Sequence, residues 1–223
     1  LEGSIGPNLA AIAERSIKIL RRDLRVIRGD EPIAPLAIVF IKPHDSYIDF
    51  TNSYFPDEGA FATSGGLYLN EAADAFPLIA VNASFKGYFE ATVAHELTHH
   101  ALRGARLPLW VEEGFTQMME ERATGHTNFI LNQEMIRRQH EHWSDRDIGS
   151  FLDGSAFSSP EDDTQELAYH LAQWVVRGEL TRRPGAFFAF ARSCRDAEPE
   201  HACEESLGAS PRELVLSRLG VED

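Results

Sequence analysis

The chain has 223 residues, 43% of them hydrophobic and 25% charged, which is the composition of a soluble globular protein long enough for one sizeable core. Its 35 acidic residues against 21 basic ones leave a formal net charge of −14. That balance argues against nucleic acid or an anionic membrane surface as partner, because both select basic patches. No apolar run approaches the roughly 18 to 20 residues that cross a bilayer, so no membrane span is expected. The first residues, "LEGSIGPNLA", show neither the basic start nor the apolar centre of an export signal, and the compartment is left open.

Residues 7–28 place Leu9, Ile12, Ile17, Leu20, Leu24 and Ile27 at helical spacing, with Pro7 in the first turn and Gly29 just past the end. "PLAIVFI" (35–41) is a short β-branched run that reads as a buried strand. The stretch from His44 to Gly66 is rich in turn residues and has little period, so it reads as a loop with short strands. "GLYLN" (66–70) and "FPLIAVNA" (76–83) read as two strands, and the "EAADA" between them suggests a hairpin. From Tyr88 onward the period turns helical, over 88–102, 108–123, 127–142, 164–178, 184–193 and 210–219. The sum is an α+β chain, read as one domain over 1–223, with a helix-plus-sheet lobe over 1–87 and a helical lobe over 88–223. Cys194 and Cys203 have a spacing that fits neither a zinc knuckle nor a redox pair, and both a disulfide and two free thiols remain open.

The stretch "TVAHELTHHAL" (92–102) carries the chemistry. On a helix, positions i and i+4 lie on one face about 6 Å apart along the axis, so His95 and His99 can point two imidazoles at one ion. Glu96, one residue round from His95, flanks that position without being a ligand. A carboxylate there can take a proton from a metal-bound water and pass it to a leaving amine. In a shuffled chain with this composition the His-Glu-x-x-His spacing is expected about 0.03 times. His100 points about 100° away from His99. Five further histidines, at 44, 126, 140, 142 and 201, lie in polar surroundings and read as surface residues.

A catalytic zinc site needs a third protein ligand. The metzincin continuation of the histidine motif is closed, since Leu102 and Ala105 stand where Gly and His would be required. The next segment, "LPLWVEEGFTQMMEE", offers Glu112, Glu113, Glu120 and Glu121 as oxygens. Glu112 shares a face with Phe115 and Met119, and Glu113 with Gln117 and Glu120, so periodicity leaves the choice open.

"HELTHH" followed by "LPLWVEEGFTQ" resembles the gluzincin zinc metallopeptidases, in particular the small peptidase MA-like group. That resemblance implies a zincin-like fold, zinc (Zn2+) as cofactor and hydrolysis of a peptide or protein substrate. It makes Glu113, just before Gly114, the third ligand beside His95 and His99, with Glu96 as general base. It also implies that Tyr169, in "LAYHLAQWVV", donates its hydroxyl to the oxyanion, with His170 as a fallback donor. Extended substrate would add to the free edge of "GLYLN". Where many relatives have an acid four residues after the ligand, this chain has Gln117, a neutral partner that polarises a histidine less. The rival function is a non-catalytic zinc domain that binds a protein partner. Glu96 argues against it, because a structural site gains nothing from a base, while Gln117 leans towards it. The same apparatus would also suit other carbonyl substrates.

Overall fold

The structure is a computed structural model that describes residues 7–29, 33–55, 65–69, 76–84, 88–143 and 148–220. Two compact units make up the chain. The first comprises Leu1–Arg25, Asp30–Ala101 and Met119–His126, and the second Val26–Gly29, Leu102–Met118 and Thr127–Asp223. As the α+β reading expects, a small mixed sheet accompanies many helices. Among the described residues no helix is long and apolar enough to cross a membrane.

The helix expected over 7–28 is interrupted at Leu24, giving α1 (Pro7–Asp23) and α2 (Arg25–Arg28). Leu20, Leu24 and Ile27 are each buried, so the apolar stripe runs through the break. Strand β1 (Ala37–Ile41) follows. Next comes α3 (His44–Tyr54), which corrects the loop expected there. Its Asp, Ser and Asn residues compete with the helix backbone, and its Ile and Thr lose rotamer freedom, so its intrinsic propensity is low. Burial of Tyr47 and Thr51, one turn apart, overrides that propensity, and Asp45 in the first turn complements the helix dipole.

Strands β2 (Gly66–Leu69) and β3 (Leu78–Asn82) complete a sheet of order β1-β3-β2. β3 pairs in parallel with β1, Ala37 opposite Leu78, and antiparallel with β2, Gly66 opposite Val81. Central β3 is buried from Ile79 to Asn82, whereas among the described residues β2 pairs on one side only. The expected hairpin is present as this antiparallel pair, and its turn, 71–75, lies outside the described residues, as do 56–64 of the expected loop. Helix α4 (Phe89–Leu102) then carries the histidine motif. Val93, Ala94, Leu97, Thr98 and Ala101 are buried around most of its circumference.

After a turn, Pro108 opens α5 (Leu109–Thr124) by accepting from the amides of Val111 and Glu112. In the second unit Trp110 meets Phe151 and stacks on Phe190, and Phe115 meets Phe187. The helices that follow are α6 (Gln133–His142), α7 (Ile148–Asp153), a 3-10 turn (Ser155–Ser158), α8 (Asp162–Arg182), α9 (Pro184–Ser193), α10 (Pro199–Leu207) and α11 (Pro211–Leu219). α6 starts six residues later than the 127 expected, because the Asn132 side chain accepts from the Met135 amide and caps it there. α7 and α10 were not anticipated. α11 opens with a capping box between Ser210 and Glu213.

A buried amide ties α6 to α8. Gln139 Nε2 donates to the Leu167 carbonyl at 3.1 Å and to His170 Nδ1 at 3.0 Å, while its oxygen accepts from the Trp143 indole at 2.7 Å. Cys194 and Cys203 are buried free thiols, and burial pushes them up to about 11 and about 12, which leaves them protonated and unreactive.

At Gly114, α5 passes close to α8. A Cβ built there would lie 2.5 Å from Val176 Cγ2 and 2.6 Å from the Ala172 carbonyl oxygen. Because a backbone oxygen cannot swing aside, Gly114→Ala is expected to destabilise the fold by about 1–3 kcal/mol. Urea unfolding checks this, and an unchanged midpoint would contradict the close approach.

Candidate metal centre

α4 presents three histidines with two different tasks. His95 and His99, one turn apart, turn their Nε2 atoms towards each other at 3.2 Å, with ring centroids 4.9 Å apart. Two nitrogens bound tetrahedrally to one ion at Zn–N distances of 2.0–2.1 Å are about 3.3 Å apart, so the pair is spaced as two ligands of a shared ion would be. A single hydrogen bond spans the same gap. What distinguishes the pair is that Glu113, only 6% exposed, brings a carboxylate oxygen to it, and ligand atoms of His95, His99 and Glu113 all lie within 4.8 Å of one another. Two imidazoles and a carboxylate form a donor set for a transition-metal ion.

Glu112 is not part of that group. Periodicity could not separate the two acids because α5 is buried on nearly every side here, with Trp110, Val111, Glu113, Phe115 and Thr116 all inside. No single apolar stripe marks an inward face.

The outer nitrogen of His95 is set by an acid. Nδ1–H donates to the carboxylate of Glu120, which can only accept, so the Nε2 of a neutral His95 is left with its lone pair facing His99. This partner is Glu120; Gln117, expected as an outer partner of a ligand histidine, stands half-buried three residues before it on α5. Glu120 stands seven residues, or two turns, after Glu113, and its shared face with Glu113 was the available signal. A carboxylate behind His95 raises the basicity of the imidazole more than an amide would.

His100 faces the sheet instead. Its Nδ1 accepts from the Tyr68 hydroxyl at 2.9 Å, and its Nε2–H donates to the Ala34 carbonyl at 2.8 Å. Sequence reasoning identified neither partner. His44 is half-buried rather than a surface residue, with Nδ1 accepting from Asn82 Nδ2 at 2.8 Å.

No known family model, curated protein or solved structure matches this chain. The site therefore rests on its own geometry.

Glu96 follows His95 on α4 and is 9% exposed. Its stem passes strand β2, since a Cβ built at Gly66 would lie 3.5 Å from Glu96 Cγ and 2.5 Å from Thr92 Cγ2. Only glycine lets the strand lie this close to the helix. Tyr169 stands half-buried on α8, edge-on to Phe157 at a centroid distance of 5.2 Å. His170 is not a spare donor, because Nδ1 accepts from Gln139 and Nε2–H donates to the Ile130 carbonyl at 2.9 Å. Burial lowers its pKa, which keeps the ring neutral in that role.

Removing the carboxylate behind His95 tests this arrangement. Glu120→Ala is expected to weaken zinc binding by about 10- to 100-fold, while Gln117→Ala leaves it within about threefold. Competition with a fluorescent chelator measures both. Equal losses from the two substitutions would contradict the assignment.

Proposed function

We propose that this chain is a zinc-dependent peptidase of the gluzincin kind. The observation that carries the reading is that His95 and His99 of α4 and Glu113 of α5 have ligand atoms within 4.8 Å of one another, with an acid, Glu96, directly after His95. Imidazole donors favour zinc over magnesium or calcium, which take oxygen ligands. His95, His99 and Glu113 would hold the ion, leaving a fourth position for water or substrate. Bound zinc supplies Lewis acidity, lowering the pKa of a coordinated water towards about 7 and polarising the scissile carbonyl.

The residues of the chain do the rest. Glu96 accepts the proton of the attacking water on its carboxylate and returns it to the leaving nitrogen, so one group serves as base and then as acid. Glu120 holds His95 in the tautomer that a metal ligand requires. Tyr169 is assigned the hydroxyl that donates to the developing oxyanion, on the resemblance alone.

Peptide as the substrate class draws support from β2. The Asn82 amide donates to the Gly65 carbonyl, which makes Gly65 and Asn82 a hydrogen-bonded pair. In an antiparallel ladder such pairs alternate, so Gly66 and Tyr68 direct their own N–H and C=O groups away from β3. An extended peptide pairs with such groups.

Glu96→Gln is expected to keep about one zinc per chain and to lose peptide hydrolysis by about 100-fold or more. Cleavage of a mixed-sequence quenched peptide pool, with metal content measured on the same sample, checks both. Full activity in the variant would refute the mechanism.

A further inference from the structure

A chain of hydrogen bonds in the second unit leaves the proton of one histidine a single place to sit. The Trp143 indole can only donate, and it donates to Gln139 Oε1. The Leu167 carbonyl can only accept, and it accepts from Gln139 Nε2. The Gln139 amide is thereby fixed end for end, with Nε2 also donating to His170 Nδ1 at 3.0 Å. Across the ring the Ile130 carbonyl can only accept, so Nε2 of His170 carries the proton. Both constraints select the neutral Nε2–H imidazole. Gln139 and Trp143 are 0% and 1% exposed, so a donor that loses its partner here is cut off from solvent.

The same ring holds the stretch 127–132, which leads into α6 without helix or strand. Phe129 stacks on it at a centroid distance of 4.8 Å, and the Arg177 guanidinium lies 4.8 Å from the Phe129 ring. His170 and Arg177 are seven residues apart on α8, a rise of about 10.5 Å, so Phe129 fits between them as a wedge. The side chains of Ile130 and Leu131 are 61% and 43% exposed, so their burial does little to hold the stretch down. One imidazole therefore fastens Gln139 of α6, and also Phe129 and Ile130, to the turn of α8 that carries Tyr169.

We propose that His170 is a proton-operated latch, which clamps α6 and residues 129–130 to α8 when neutral and lets that clamp open when protonated. A second proton, on Nδ1, would face the Gln139 N–H, donor against donor. Turning the amide over gives no relief, because its nitrogen would then face the Trp143 indole and its oxygen the Leu167 carbonyl. Either Gln139 withdraws from α8, or the ring swings away from Phe129 and Ile130. Burial is the largest influence on the ring and holds its pKa below the usual histidine value. Among the described residues, Glu166 one turn back on α8 favours the imidazolium, and Arg138 of α6 opposes it. Those two pair with each other at 3.0 Å, which blunts both, and Arg177 adds a positive charge beyond Phe129. The folded chain thus binds this proton more weakly than the unfolded chain, so stability is lost as pH falls through the folded value. The latch does not depend on the peptidase reading.

The test is an NMR titration of the full chain from about pH 8 to about pH 5, with His170 assigned by its loss in His170→Gln. A glutamine there cannot titrate, yet it can still accept from Gln139 and donate to Ile130. The His170 ring is expected in its Nε2–H form near neutrality and to titrate below the ordinary histidine range. Along the same curve the clamp should open on one of its two sides. The Trp143 indole N–H signal changes if Gln139 withdraws, and the Phe129 ring signals change if the imidazole swings out. Urea unfolding gives the size of the effect. Relative to His170→Gln, the unfolding constant of the unsubstituted chain should rise about tenfold across that range. Gln139→Glu, whose carboxylate accepts from an imidazolium, should move the His170 pKa above the ordinary value instead. Titration of His170 at or above the ordinary value in the unsubstituted chain overturns the latch. So does a titration that neither Trp143 nor Phe129 follows, or an acid response that persists in His170→Gln.

Discussion

The hydrogen bond from His95 Nδ1 to the Glu120 carboxylate decides which nitrogen of His95 carries the lone pair that faces His99. Without it the imidazole could carry its proton on either nitrogen and rotate about its side-chain bonds. With it, the Nε2 lone pair is aimed at the point that His99 Nε2 also faces, 3.2 Å away. A ligand pair oriented before the ion arrives loses less freedom on binding, which is where the affinity of a preorganised site originates. The acid that does this lies two turns along α5 from Glu113, so one helix contributes both a candidate ligand and the support of another candidate ligand.

That arrangement places heavy demands on α4. Its apolar side chains are buried around most of its surface, and two ionisable residues, Glu96 and His100, are buried with them. Such groups destabilise a fold unless each has a partner or a task. His100 has partners on both ring nitrogens, in Tyr68 and Ala34. Glu96 has a task in the chemistry proposed for it. The glycine at 66 belongs to the same economy of space, since the strand it opens lies against the turn of α4 that bears Glu96. The parts proposed for metal binding, proton transfer and peptide pairing thus fall largely on one helix and its neighbouring strand, with Glu113 added from α5.

How much of this was legible in the sequence varied with how local the signal was. The histidine spacing and the period of α9 were plain, the latter because Pro184 marks its first turn and its phenylalanines recur at helical intervals. α3 was hidden because its residues favour turns and only burial of Tyr47 and Thr51 makes them a helix. Glu113 could not be separated from Glu112 by pattern, since α5 is buried on nearly every side at that point and no single apolar stripe defines an inward face. Gln117 drew attention through a spacing rule, whereas the acid that reaches His95 is one turn further on. The link between Tyr68 and His100 spans 32 residues of sequence, and no local pattern announces it.

The central claim is that His95, His99 and Glu113 together hold one zinc ion. Its most direct test is the metal content of the isolated protein and of Glu113→Ala, measured by mass spectrometry after dialysis against trace zinc. About one zinc per chain, lost in the variant while its circular dichroism is unchanged, is the predicted result. No zinc in the unsubstituted protein, or zinc retained in full by Glu113→Ala, would contradict it.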